Sequence, residues 1–199
     1  MTNTAKFEWT AENEKAAQKH ISKYPEGRQQ SAVMPLLDIA QRQNGGHLTI
    51  EIMEFIAAYL GMAPIKVQEV ATFYTMYNHK PVGKHHVQVC GTTPCWLRGS
   101  DEIIGACKKQ LGIGMGETTA DGQFTLSEVE CAGACVNAPV FAINDDYYED
   151  LTAESATEIL KALADGKTVK PGPQTDRQTS APLGGATTLS DFIKDGESA

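Results

Sequence analysis

The first eighty residues place apolar side chains at helical spacing. Thr10 can cap a first helix, with Trp9 before it and Pro25 ending it. In residues 29–43, Val33, Leu36, Leu37 and Ala40 share one helical face. Pro35 sits inside that run, so the helix either kinks there or starts late. Asn44-Gly45-Gly46 stops it. Thr49 then precedes Ile52, Phe55, Ile56, Tyr59 and Leu60, a third amphipathic helix ending at Gly61. Pro64 suits the first turn of a fourth helix bearing Val67, Val70, Ala71 and Tyr74. Residues 11–80 thus read as a small helical bundle, and residues 1–10 as a loose end.

The period changes after Lys80-Pro81. His85–Cys90 alternates, with Val87 and Val89 on one face, as a strand does. A loop holding Cys95 follows, then a helix over residues 101–111. Phe124–Val129 is a second alternating strand. Residues 140–143 read as a strand, and Tyr147 and Tyr148 as another, turned by Asn144-Asp145-Asp146. A last helix covers Ala153–Ala164. The order βαβ, hairpin, helix over residues 84–165 predicts an α/β layer fold, and it matches thioredoxin-like topology. Residues 166–199 contain Pro171, Pro173, Pro182 and Gly184-Gly185 with little periodicity. They read as an extended tail, disordered or ordered by a partner.

Charge and composition narrow the function classes. Lys plus Arg is 17 against Asp plus Glu 25, a formal net charge of −8. With no basic stripe, this speaks against nucleic acid as a partner. The longest uncharged run, residues 131–144, contains a proline and falls short of the roughly 18 apolar residues of a spanning helix, so no membrane insertion is expected. The N-terminal stretch mixes Lys6, Lys15, Lys19 and Lys23 with Glu8, Glu12, Glu14 and Glu26 and lacks an apolar core, unlike a secretory signal or a transit peptide.

Cysteine spacing carries the chemistry. There are five cysteines, an odd number that suits metal or redox sites better than a disulfide scaffold. Four form two pairs, Cys90-x4-Cys95 and Cys131-x3-Cys135, each following a predicted strand. If those strands are neighbours, four thiolates meet at one edge of the sheet. Such a set holds tetrahedral zinc or an iron–sulfur cluster. Structural zinc favours short knuckles, whereas a [2Fe–2S] cluster takes two thiolates on each iron, so two wider pairs favour the cluster. Gly91, Thr92, Thr93, Ala132, Gly133 and Ala134 are small enough to let backbone N–H groups approach the sulfurs. A catalytic dithiol would want a two-residue gap, which neither pair has. Cys107 lies among Ile103, Ile104 and Leu111 on a helix and reads as a buried hydrophobe.

Residues 69–78, then Val87 through Cys95, then Glu128 through Pro139 resemble the thioredoxin-like [2Fe–2S] ferredoxin subunits of the NADH-dehydrogenase module of respiratory complex I. The likeness runs from the first helix onward and includes the tail from Gly172 to Leu189. It implies a C-terminal thioredoxin-like [2Fe–2S] domain behind the helical bundle, with one cluster on Cys90, Cys95, Cys131 and Cys135. It implies an electron-transfer role within NADH:quinone oxidoreductase, with FMN and NADH held only on a partner flavoprotein subunit. Other peripheral-arm subunits would be further partners. The implied place is peripheral, on the cytoplasmic side of a bacterial inner membrane. An equivalent subunit of an NAD-linked hydrogenase or formate dehydrogenase is the related alternative, and a structural zinc module is the unrelated one. The helical part and the tail would be docking surfaces, and deleting residues 176–199 is expected to spare the cluster's spectrum.

The other conspicuous residues read as structural. His85 and His86 are adjacent on a strand, so their rings point to opposite faces and cannot chelate together. Gly112, Gly114 and Gly116 follow a helix rather than a strand and read as a turn. Asp145, Asp146, Glu149, Asp150, Glu154 and Glu158 read as a solvated acidic face. Trp96 either shields the cysteines or fills the sheet–helix interface. The Ala138–Pro139 bond is left open between cis and trans, trans being the more frequent isomer.

Overall fold

The chain divides into two units, Met1–Val82 and Gly83–Ala199, in a computed structural model that describes residues 6–185 and Thr188. In the first unit, α1 (Ala11–Ile21) begins at Thr10, whose Oγ1 accepts the Asn13 N–H at 3.2 Å. A 3-10 turn, Gln29–Ala32, precedes α2 (Val33–Gln43). The second helix therefore starts late, and Pro35 falls in its first turn, where a missing N–H costs nothing. Thr49 caps α3 (Ile50–Leu60), which ends at Gly61 with φ 63°. That left-handed residue is why a glycine stands there. Pro64 opens α4 (Pro64–Phe73), and Tyr74, expected within this helix, follows its last turn.

Leu36, Leu37, Leu48, Ile52, Ile56 and Val67 form the buried centre of this unit. Residues 6–10 depart from the loose end expected of them. Phe7 and Trp9 pack edge-on against Phe55 at 5.1 and 5.5 Å between ring centres. The Gln43 side chain takes the Thr10 N–H and donates to the Glu8 carbonyl. Two aromatic side chains bury enough apolar area to hold a short segment that has no secondary structure of its own. Residues 1–5 of that expected loose end lie outside the described residues.

The second unit is a mixed sheet with helices. Its elements are β1 (His85–Cys90), α5 (Thr93–Leu97), α6 (Ser100–Leu111), β2 (Glu117–Thr118), β3 (Phe124–Val129), β4 (Phe141–Ile143), β5 (Asp146–Glu149), α7 (Ala153–Ala164) and β6 (Gly172–Pro173). The strand order is β2-β3-β1-β4-β5-β6. β1 and β3 run parallel, joined through α6, while β4 lies antiparallel on the other side of β1. The alternation puts Val87, Val89 and Leu126 into one core with Ile103, Cys107, Phe141, Ile159 and Leu160. Gly83 is forced by close approach, since a Cβ there would come 2.7 Å from the Phe124 backbone.

Three elements lie outside the sequence reading. α5 replaces a loop expected around Cys95, and β2 and β6 are two-residue strands with no period to detect. β6 falls within the stretch expected to be an extended tail. The Ala138–Pro139 bond is cis. Among the described residues no helix is long and apolar enough to cross a membrane.

Leu36 is fully buried in the helical unit, so Leu36→Ala is expected to cost about 3 kcal/mol through lost burial and the cavity left behind. Urea unfolding of the full chain measures it. Ile50→Ala, at a largely exposed position, is the control and should change stability by less than about 0.5 kcal/mol.

Candidate metal centre

β1 and β3 end side by side, with Cys90 opposite Val129 in the parallel register. Both cysteine loops therefore leave the same end of the sheet. The Gly91 N–H extends the pairing to the Val129 carbonyl at 3.3 Å, and the Cys90 N–H bonds the Val140 carbonyl at 3.1 Å. Cys90 is thus held from both sides. The chain then turns into α5, whose first turn contains Pro94, and this short helix brings Cys95 back against Cys90. Both residues are 2% exposed, packed with Ala138, Val129 and Ala132.

The second pair has a different setting. Cys131 and Cys135 are exposed, on a loop that passes Gly133 at φ 75° and ends in a 3-10 turn, Cys135–Asn137. The Tyr147 hydroxyl donates to the Ala132 carbonyl at 2.7 Å and pins the middle of this loop. The Cys95 thiol sits within hydrogen-bonding reach of Cys90 and feels the charge of Cys135. The structure so draws Cys90, Cys95 and Cys135 together. No hydrogen bond joins Cys131 to them, and no ready single-ion group of three His, Cys, Asp or Glu side chains occurs among the described residues.

Burial first, and the neighbouring Cys90 second, push the Cys95 thiol up, while a Val140 N–H aimed at it works the other way. Such a site resists carrying bare thiolates and accepts them once a cation is supplied. The donor chemistry fits a four-thiolate group: soft sulfur in two pairs, an N–H donor already turned to one sulfur, and no imidazole in either loop.

Cys107 stands apart in the core under the sheet, fully buried, and burial pushes its thiol up to about 12. Trp96 does not fill the sheet–helix interface. Its ring is half exposed and its Nε1 donates to Asp101 at 3.0 Å. His85 stacks beside Phe124 and His86 bonds Ser127 at 2.8 Å, each with its pKa lowered by burial. Gly112 ends α6 at φ 67°, and the Gly114 N–H bonds Glu117, so this glycine run is a turn. The acidic face is not uniformly solvated. Asp150 is only 8% exposed and meets Arg177, a partner too far along the chain for charge patterning to reveal.

The model of the thioredoxin-like [2Fe-2S] ferredoxin matches residues 17–164. The chain belongs to the thioredoxin-like [2Fe-2S] ferredoxin family. That family's cofactor is a [2Fe–2S] cluster. Among relatives of this ferredoxin, the mitochondrial NADH dehydrogenase [ubiquinone] flavoprotein 2 of Dictyostelium discoideum is 53% identical over 183 residues, 92% of this chain and 74% of that protein. A subunit of the NADH-quinone oxidoreductase of Rickettsia conorii is 56% identical over 162 residues, 81% of this chain and 97% of that protein. An NAD+-reducing [NiFe]-hydrogenase in the H2-reduced state shares the fold with a TM-score of 0.57 over 66% of this chain and 23% of its own, at 18% identity.

Exposure orders the thiols by reactivity. In metal-free chain near neutral pH, iodoacetamide should modify Cys131 and Cys135 first, and Cys90, Cys95 and Cys107 only as the fold opens, as peptide mapping would show. The pH dependence has a definite sign. Thiol pKa values raised by folding favour the protonated form, so their stabilisation is complete below the ordinary value of 9.0 and is lost as pH climbs toward about 12. Urea midpoints of metal-free chain should fall across that alkaline window, and a flat profile would contradict the burial of these thiols.

Proposed function

We propose that this chain is the electron-transfer iron–sulfur subunit of an NADH:quinone oxidoreductase, with Cys90, Cys95, Cys131 and Cys135 as the ligands of its cluster. The observation that carries this is the parallel pairing of β1 with β3, which delivers both cysteine pairs to one end of the sheet. When bound there, a [2Fe–2S] cluster takes up and returns one electron at a time. Relatives at 53–56% identity named as subunits of NADH dehydrogenases support complex I over a hydrogenase or formate dehydrogenase.

The chain's own residues shape that exchange. Cys90 and Cys95 hold the buried side, where low dielectric opposes added negative charge, and the Val140 N–H offsets part of it. Cys131 and Cys135 hold the open side. Around them stand exposed apolar residues that follow the cysteines in sequence: Trp96 and Leu97 after Cys95, and Val136 after Cys135. Leu97 is 71% and Val136 68% exposed. An apolar rim around a charged redox group suits a protein partner. In this reading the partner is a flavoprotein subunit holding FMN and the NADH site, and the exchange runs between that flavin and this chain. Residues 84–165 carry the redox group, residues 11–80 and 166–199 dock, and the subunit is peripheral to the membrane on the cytoplasmic side.

Iron, acid-labile sulfide and zinc are measured on anaerobically purified chain, with EPR after dithionite. About two irons and two sulfides per chain and a reduced-state signal support the reading. Zinc without sulfide establishes the structural module instead. Serine at Cys90, Cys95, Cys131 or Cys135 should lower cluster content or alter the signal, whereas Cys107→Ala should do neither. Leu97→Glu should weaken association with the flavoprotein and leave the spectrum unchanged.

A further inference from the structure

The segment after α7 returns to the cysteines. β6 adds in parallel beside β5, and the Gln174 N–H bonds the Glu149 carbonyl at 2.9 Å. This carries Arg177 onto the turn Cys135–Asn137. Its Nη1 donates to the Val136 carbonyl at 3.0 Å. Its Nε stands 3.4 Å from Asp150 Oδ2, a contact of charges rather than an aligned hydrogen bond. The two side chains are only 15% and 8% exposed. Asn137 is gripped as well. Its Nδ2 donates to the Thr179 carbonyl at 2.9 Å and reaches Asp150 at 3.4 Å, while its own carbonyl accepts the Asp150 N–H at 2.7 Å. Asp150 and Thr179 hold φ of 52° and 48°, conformations that persist only where surrounding contacts impose them.

We propose that Arg177, paired with Asp150, is a positioning residue for the loop carrying Cys131 and Cys135, and that it tunes the cluster from outside the stretch the family model matches. This rests on the four cysteines being the ligands. Val136 follows Cys135 directly, so a bond to its carbonyl fixes the peptide plane next to the sulfur-bearing residue. The guanidinium also cancels the buried carboxylate. Without Arg177, that carboxylate faces the loop alone and opposes the negative charge that reduction adds. Residues supporting a ligand from behind commonly govern metal retention and electronic state. Deleting residues 176–199 removes Arg177 and Thr179, so it is not neutral for the cluster as the sequence led one to expect.

The test uses full chain carrying its cluster. It compares Arg177→Gln, Asp150→Asn, the double variant, Arg177→Lys and a truncation after Gly185. Midpoint potential, EPR line shape and iron loss to a chelator are read, with circular dichroism to confirm folding. Arg177→Gln should lower the potential and speed iron loss about tenfold. Asp150→Asn should raise the potential. The double variant should regain the potential, since charge is balanced, but not iron retention, since the bond to Val136 is gone. Arg177→Lys should likewise restore potential more than retention, and it serves if Arg177→Gln fails to fold. Truncation after Gly185 should match wild type. A folded Arg177→Gln chain with wild-type potential, line shape and iron loss overturns the proposal alone. Wild-type chain that holds no iron and sulfide overturns the ligand reading beneath it.

Discussion

The parallel register between β1 and β3 is the constraint on which the site depends. Cys90 ends one strand and Val129 the other, directly opposite. Had these strands paired antiparallel, the two cysteine loops would leave opposite ends of the sheet. A parallel pair requires a crossover, and α6 supplies it, packed on the sheet through Ile103 and Cys107. The apolar face of the crossover therefore does two jobs. It closes the core over Val87, Val89 and Leu126, and it fixes the direction in which the second cysteine pair arrives.

The asymmetry of the four thiols follows from strand position. β1 is central, flanked by β3 and β4, so the loop after it starts in a covered place. Cys90 is held by the Val140 carbonyl on one side, and the ladder continues to Val129 on the other. The second loop has no such double support from the sheet. It is fastened from outside, by Tyr147 at Ala132 and by Arg177 and Thr179 at Val136 and Asn137. One pair sits in low dielectric and the other faces solvent. That arrangement shelters a redox group on one side and exposes it on the other, with an apolar rim where a partner would sit.

Much of this was legible because its causes are local. Thr10 and Thr49 cap helices by bonding an N–H three residues on, Gly61 and Gly112 end helices by taking positive φ, and alternation at Val87, Val89 and Leu126 marks two strands. The cysteine spacing and the small residues around it also declare themselves without any fold. What escaped has causes that lie far along the chain. Phe7 and Trp9 are ordered by Phe55, and β6 exists only because β5 offers an edge. Asp150, which looks like one more acid in an acidic run, is buried by an arginine from beyond the last helix.

The sequence by itself determined the donor set, the periods of the principal elements and the family, since each is written in residue types at fixed short spacings. Tertiary structure decided which thiols are buried, which are exposed, and what holds each loop. Strand order and register bring residues from distant parts of the chain within bonding distance, and no spacing along one strand or helix encodes which neighbour it will meet.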